Sequence, residues 1–280
     1  MKRLLLPLLM CLTLCAPAWA ANIFTLDPNC VANWNFEDGA LTTDSKGGNT
    51  LTAGGTPAAD TADYQEGAAS VELQSAGSDT LSITDANLDA GYPLKNGDAT
   101  KKTSIAFWFK MDSDPGSGHA DILYSKYIAT FGARSFLVYV YDEGATNKLG
   151  LNIGYNSGFS EEGAELPSAT RPIATGVWYH VGVTHDDSTK GWRIRLWDSS
   201  NSTNYEATGT FTNNIYITTQ PVVIGKENGA YWDYWNGNID EMVVFKDILT
   251  ADEIDEIRLG TYGAPAATGT SNWWWRRRHN

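Results

Sequence analysis

Apolar residues recur at every second position in one segment after another, and this constrains the chain most. In "TSIAFWFKM" the alternation sets Ile105, Phe107, Phe109 and Met111 on one side. "SFLVYVYD" alternates Phe136, Val138 and Val140 with Leu137, Tyr139 and Tyr141, and "LGLNIGY" aligns Leu149, Leu151, Ile153 and Tyr155. "VWYHVGVTHD" and "GWRIRLWD" flank the turn segment "DSTK" as a hairpin, and "QPVVIGK" and "NIDEMVVF" close the series. Side chains of a strand point alternately to opposite faces, so each segment offers one apolar face to a core. Many short strands between Gly, Asn, Asp and Ser turns predict an all-β fold, a two-sheet antiparallel jelly-roll sandwich. One short C-terminal helix is expected. Thr250 and Glu253 form a capping box, Leu249 and Ile254 a hydrophobic staple, Ile254 and Ile257 an apolar side, and Gly260 a stop.

The ends read differently. Residues 1–20 combine Lys2 and Arg3, an apolar stretch and the small-x-small site Ala18-Trp19-Ala20, the pattern of a secretory signal peptide cleaved near Ala20. Cys11 and Cys15 leave with it, so Cys30 is the single mature cysteine and neither an internal disulfide nor a thiolate metal cluster can form. No other segment approaches the roughly 20 apolar residues of a membrane span. The expected product is secreted or held in the cell envelope. Losing Lys2 and Arg3 takes the formal net charge from −13 to −15, which argues against nucleic acid, since phosphate binding needs clustered Lys and Arg.

The domain body is expected over 22–262 and a linker with a tail over 263–280. "GAPAATGTSN" has linker composition. Trp273, Trp274 and Trp275 followed by Arg276, Arg277 and Arg278 suit an envelope contact, because Trp favours membrane–water interfaces and Arg anionic headgroups. Docking of the basic tail on its own acidic body and an inert terminus remain as alternatives.

Four pieces in order carry a resemblance. "VANWNFEDGALTTDSKGGNTLT", "TSIAFWFKM", "TGVWYHVGVTHDDSTKGWRIRLWD" and "WNGNIDEMVVFKDILTADEIDEI" span nearly all of the body. Together they resemble laminin-G-like domains of the concanavalin A-like lectin/glucanase superfamily. The resemblance implies a two-sheet jelly roll with a structural calcium ion where the first and last strands meet. It implies Asp240 as a ligand, with partners from Glu37 or Asp38, Asp44 and Asn49. Calcium takes six to eight oxygens, which an acidic Gly-rich loop can supply. The metal-free alternative has Asp44 capping its turn and Asp240 accepting backbone N–H groups. Regular alternation would put Asp240 with Met242 and Val244, at the rim of a core, and leave Glu241 facing solvent at the strand's edge.

Glucanases of this superfamily resemble one another in a Glu-x-Asp-x-Glu strand. Here "NIDEM" has Asn238 and Met242 at the outer positions, and Glu253 and Asp255 of "EIDEI" diverge on a helix. A non-catalytic module is therefore expected, one that binds a glycan or a cell-surface protein. The alternatives are a structural or assembly surface protein and a diverged glycoside hydrolase. Sugar recognition uses flat aromatic faces, and "ENGAYWDYWNG" offers Tyr231, Trp232 and Tyr234, with Trp235 expected in the core.

Overall fold

The computed structural model describes residues 22–129, 132–144, 146–166, 173–229 and 233–263. The first strands are β1 (Cys30–Trp34), β2 (Thr52–Gly54), β3 (Ala58–Asp60), β4 (Ser70–Leu73), β5 (Thr80–Ile83), β6 (Lys102–Met111), β7 (Ala120–Lys126) and β8 (Phe136–Asp142). There follow β9 (Asn147–Tyr155), β10 (Ser160–Leu166), β11 (Trp178–Asp186), β12 (Gly191–Asp198), β13 (Thr203–Thr210), β14 (Val222–Ile224), β15 (Asp233–Tyr234), β16 (Gly237–Phe245) and the helix α1 (Ala251–Arg258).

They build two eight-stranded sheets. The first runs β13-β12-β11-β6-β16-β4-β3 with β1 also on β16; the second runs β10-β9-β8-β7-β14-β5-β2 with β15 on β7. Pairing is antiparallel except for β15 with β7. The expected sandwich is what forms.

The alternation sorts the side chains. Ile105, Phe107, Phe109 and Met111 from the first sheet meet Phe136, Val138, Val140, Leu149, Leu151 and Ile153 from the second in one buried core. The other side of the first sheet is covered by α1, whose Ile254 and Ile257 pack with Ala106, Val243, Phe245 and Leu249. The helix starts at the capping box of Thr250 and Glu253 and ends before Gly260, whose φ is +67°. Beside it, the Ile23 amide donates to the Tyr262 carbonyl at 2.8 Å, which closes the body where it begins. Cys30 is buried in this layer; burial pushes its thiol up to about 12, so it stays protonated and inert.

On the second sheet the outward face carries only a small apolar cluster of Ala120, Ile122, Tyr127, Leu137 and Tyr139. No element of regular structure packs over it among the described residues. Two places therefore gather unusual chemistry: a break in β16, and this outer face.

Candidate functional site

β16 changes partner along its length. Gly237 to Ile239 pair with β4, whereas Met242 to Phe245 pair with β1. Asp240 and Glu241 fall in the gap, and against β6 the register shifts between Asp240 and Val243. Glu241 takes φ +49°, the left-handed backbone of a bulge. The bulge corrects the regular reading: Ile239, Met242 and Val244 all join the inter-sheet core, so Asp240 lies on the opposite face from Met242 and Val244. Glu241 does not face solvent either; it is 6% exposed.

The gap is filled by the loop between β3 and β4. The amides of Gln65 and Glu66 donate to Asp240 Oδ2 at 2.8 and 3.2 Å, and Asp240 Oδ1 is buried without a partner. Both Glu241 oxygens accept the Asn35 side-chain amide, at 3.0 and 2.8 Å. Both Glu37 oxygens accept the Ala68 amide, at 3.1 and 3.0 Å. Burial raises Asp240 to about 7, with the loop amides acting against it and Glu37 adding to it. Burial, then the charges of Asp240 and Glu66, raise Glu241 to about 9. No Lys, Arg or His among the described residues forms an ion pair with Glu37, Glu66, Asp240 or Glu241.

The expected ligand set is divided. Glu37 and Asp240 share this cluster, while Asp44 and Asn49 form a separate turn network. Asp44 accepts the amides of Asn33, Lys46 and Asn49, and the Asn49 side chain donates to Asp44 and to the Val31 carbonyl. Among the described residues no three Asp, Glu, His or Cys side chains converge as the protein ligands of a metal would.

The second place is built by register. Across the outer face of the second sheet, Tyr234 stands opposite Ile122, Ile122 opposite Tyr139, Tyr139 opposite Gly150, and Gly150 opposite Glu165. One row further along, Tyr141 faces Lys148. Gly150 is the permissive member: a Cβ there would overlap the Tyr139 ring, so its absence lets the ring lie down on the sheet. The Tyr139 hydroxyl donates to Asn152 Oδ1 at 3.1 Å, which holds the ring in place. Above this floor is a cavity of about 240 Å³ lined by Ala120, Leu137, Tyr139, Tyr141, Lys148, Asn152, Glu161 and Glu165.

Its polar groups are oriented. Lys148 Nζ lies 2.9 Å from both Glu143 and Glu165 and 5.0 Å from the Tyr141 ring centroid. Burial would lower this ammonium's pKa, but the two carboxylates outweigh it and raise it. Tyr127 donates its hydroxyl to Glu161, and burial followed by that carboxylate holds the phenol protonated well above its ordinary range.

Of the aromatic loop, Tyr231 and Trp232 lie outside the described residues, as do the signal segment and Trp273 to Arg278. Tyr234 belongs to the outer face, but Lys226 Nζ sits 3.5 Å from its ring centroid and caps it. Trp235 is fully buried, as expected. The alternation already placed Leu137, Tyr139 and Tyr141 on one face. It did not mark them as a site, because their neighbours Gly150, Lys148 and Glu165 are assigned only by strand register.

Residues 75–255 match the family model Laminin_G_3, of the concanavalin A-like lectin/glucanases superfamily. The chain belongs to this laminin-G-like family. No curated protein matches it. Among solved structures, this laminin-G-like chain is similar to domain 4 of AbnA, a GH43 extracellular arabinanase of Geobacillus stearothermophilus, in complex with arabinotriose. The TM-score there is 0.56 at 16% identity, over 82% of this chain and 98% of that one. It is also similar to the binding domain of botulinum neurotoxin DC in complex with rat synaptotagmin II (TM-score 0.60, 12% identity, 84% of this chain), of which it spans about half, 52%. A third likeness is to botulinum neurotoxin type C, in a study of its entry through two ganglioside molecules (TM-score 0.58, 13% identity, 82% of this chain and 50% of that one). At these identities the likeness is one of fold.

Proposed function

We propose that this laminin-G-like domain is an exported, non-catalytic carbohydrate-binding module whose ligand lies on the outer face of the second sheet. The observation that carries the reading is the cavity over Tyr139, of about 240 Å³ with polar groups on its walls. A flat aromatic ring and convergent hydrogen-bonding groups suit the apolar face and the hydroxyls of one sugar ring. The arabinotriose on the AbnA domain and the gangliosides of the type C toxin support a glycan on a fold of this shape.

The spacing of the acids at the cavity supports binding without turnover. Glu161 and Glu165 are four residues apart on β10, ~13 Å at ~3.3 Å per residue, and Glu165 is held by Lys148. A retaining glycosidase needs its two carboxyl groups about 5 Å apart. A glycan array with the mature protein tests the reading, with Gly150→Ala as the control that lifts the Tyr139 ring. Hits that survive in Gly150→Ala, or no hits at all, would overturn it.

The same proposal assigns a calcium ion to the gap in β16. Four neighbouring carboxylates that pair with no cationic side chain among the described residues, and a buried Asp240 oxygen with no hydrogen-bond partner, are a costly arrangement that a divalent ion would relieve. Asp240 would hold the ion through its unpartnered Oδ1, and loop carbonyls and water would complete the oxygen shell. Its role is to bind the start of the body to its last strand.

A further inference from the structure

The outer face carries more acid than base, and hydrogen bonding holds that balance in place. Glu161 and Glu165 line the cavity with Lys148, which is engaged by Glu165 and by Glu143 beyond the lining. Among the described residues no lysine, arginine or histidine forms an ion pair with Glu161. The Tyr127 hydroxyl approaches Glu161 Oε2, which leaves Oε1 for a donor arriving from the cavity.

Resting on the carbohydrate reading, we propose that this site selects its ligand by charge. It takes a neutral, hydroxyl-rich glycan segment and refuses glycans that carry carboxylate or sulfate. An ionised carboxylate only accepts hydrogen bonds, so Glu161 and Glu165 match sugar hydroxyls, and such charge-assisted bonds are the stronger kind. A uronate or sulfate in the same place would set two anions in contact. Lys148, the cation among the described residues that line the cavity, would have to leave two carboxylates to meet it. The chain's net charge of −13 repels a polyanion before contact as well.

Affinity electrophoresis of the mature full chain tests this. The gels carry neutral polysaccharides (arabinan, xylan, mixed-linkage glucan) and a matched pair, methyl-esterified polygalacturonan and polygalacturonate. The expected result is retardation by a neutral polysaccharide, with polygalacturonate at least about tenfold weaker than its ester. Glu161→Gln sits on an exposed edge strand; with an unchanged melting curve, it should weaken neutral binding several-fold and narrow the difference between ester and acid. Equal or tighter binding of the acid would overturn the charge rule and leave the carbohydrate reading standing. Retardation by none of them would overturn both.

Discussion

The gap in β16 and the outer face of the second sheet are both acidic, yet their carboxylates are in opposite situations. In the gap, Asp240 and Glu241 are buried side by side and supplied with backbone and amide donors, with no cationic side chain among the described residues paired to them. On the outer face, Glu165 has an ammonium 2.9 Å away and Glu161 is open to solvent. The difference teaches that residue type does not assign a role. A carboxylate in a low-dielectric gap is relieved by a proton or by a cation, whereas an exposed one beside an aromatic cavity keeps its charge and accepts hydrogen bonds at little cost.

The largest expected effect separates acid sensitivity from the acid gap. His180 stands opposite Trp108, which stands opposite Asp240, on the helix-covered side of the first sheet. Burial, and then the charge of Arg258, hold His180 down to about 3. The unfolded chain takes up this proton near pH 6.5 and the folded chain does not. The His180 contribution is therefore expected to lower stability as pH drops from about 6.5 towards about 3, by up to several kcal/mol, against the opposite contribution of the raised Asp240 and Glu241. Urea denaturation across that range should have a flatter pH dependence in His180→Phe. Equal slopes in the two proteins would show that His180 does not set the acid sensitivity; the gap carboxylates, whose pKa values are raised, act in the opposite sense and would not supply it.

Chelation comes next. If free calcium stands at about a hundred times its Kd, its removal costs about 2.7 kcal/mol and lowers Tm by roughly 5–10 °C in a domain of this size. Calorimetry with and without chelator should show the drop, and Asp240→Asn should abolish the difference. Superimposable wild-type curves would leave the gap as a metal-free strained junction and end the contrast in cation demand.

A smaller effect belongs to the outer face. Tyr141 is half-buried at the cavity, and Tyr141→Ala should weaken glycan binding by about 1 kcal/mol with little loss of stability. Isothermal titration together with a melt would decide it; a large fall in Tm with affinity unchanged would make the ring a packing residue. The smallest effect on the fold is expected from removing residues 273–280, which should leave both the chelator response and glycan binding intact. Cell fractionation would then tell whether Trp273 to Arg278 hold the protein at the envelope, since an unaltered distribution argues against an address.

Much of the fold was legible because strand alternation and helix capping are local. Phe107 and Phe109 face the core, and Thr250 starts the helix, for reasons contained within a few neighbouring residues. The same local rule misplaced Asp240 and Glu241. A bulge is a response to two different partner strands, and β4 and β1 are far from β16 in sequence.

The candidate sites divide along the same line. The pairing of Asp240 with Glu37 follows from family order along the chain. Its separation from Asp44 and Asn49 depends on which amides the folded loops present. Alternation put Tyr139 and Tyr141 on one side of β8. Only the register of β9 and β10 laid Tyr139 over Gly150 and brought Lys148 to Glu165. By itself the sequence determined an all-β sandwich, its core faces and its one helix, because periodicity and capping act within a single element. Tertiary structure decided where charge is stranded and where it is satisfied, because burial and hydrogen-bond supply are set by strands and loops that meet only after folding.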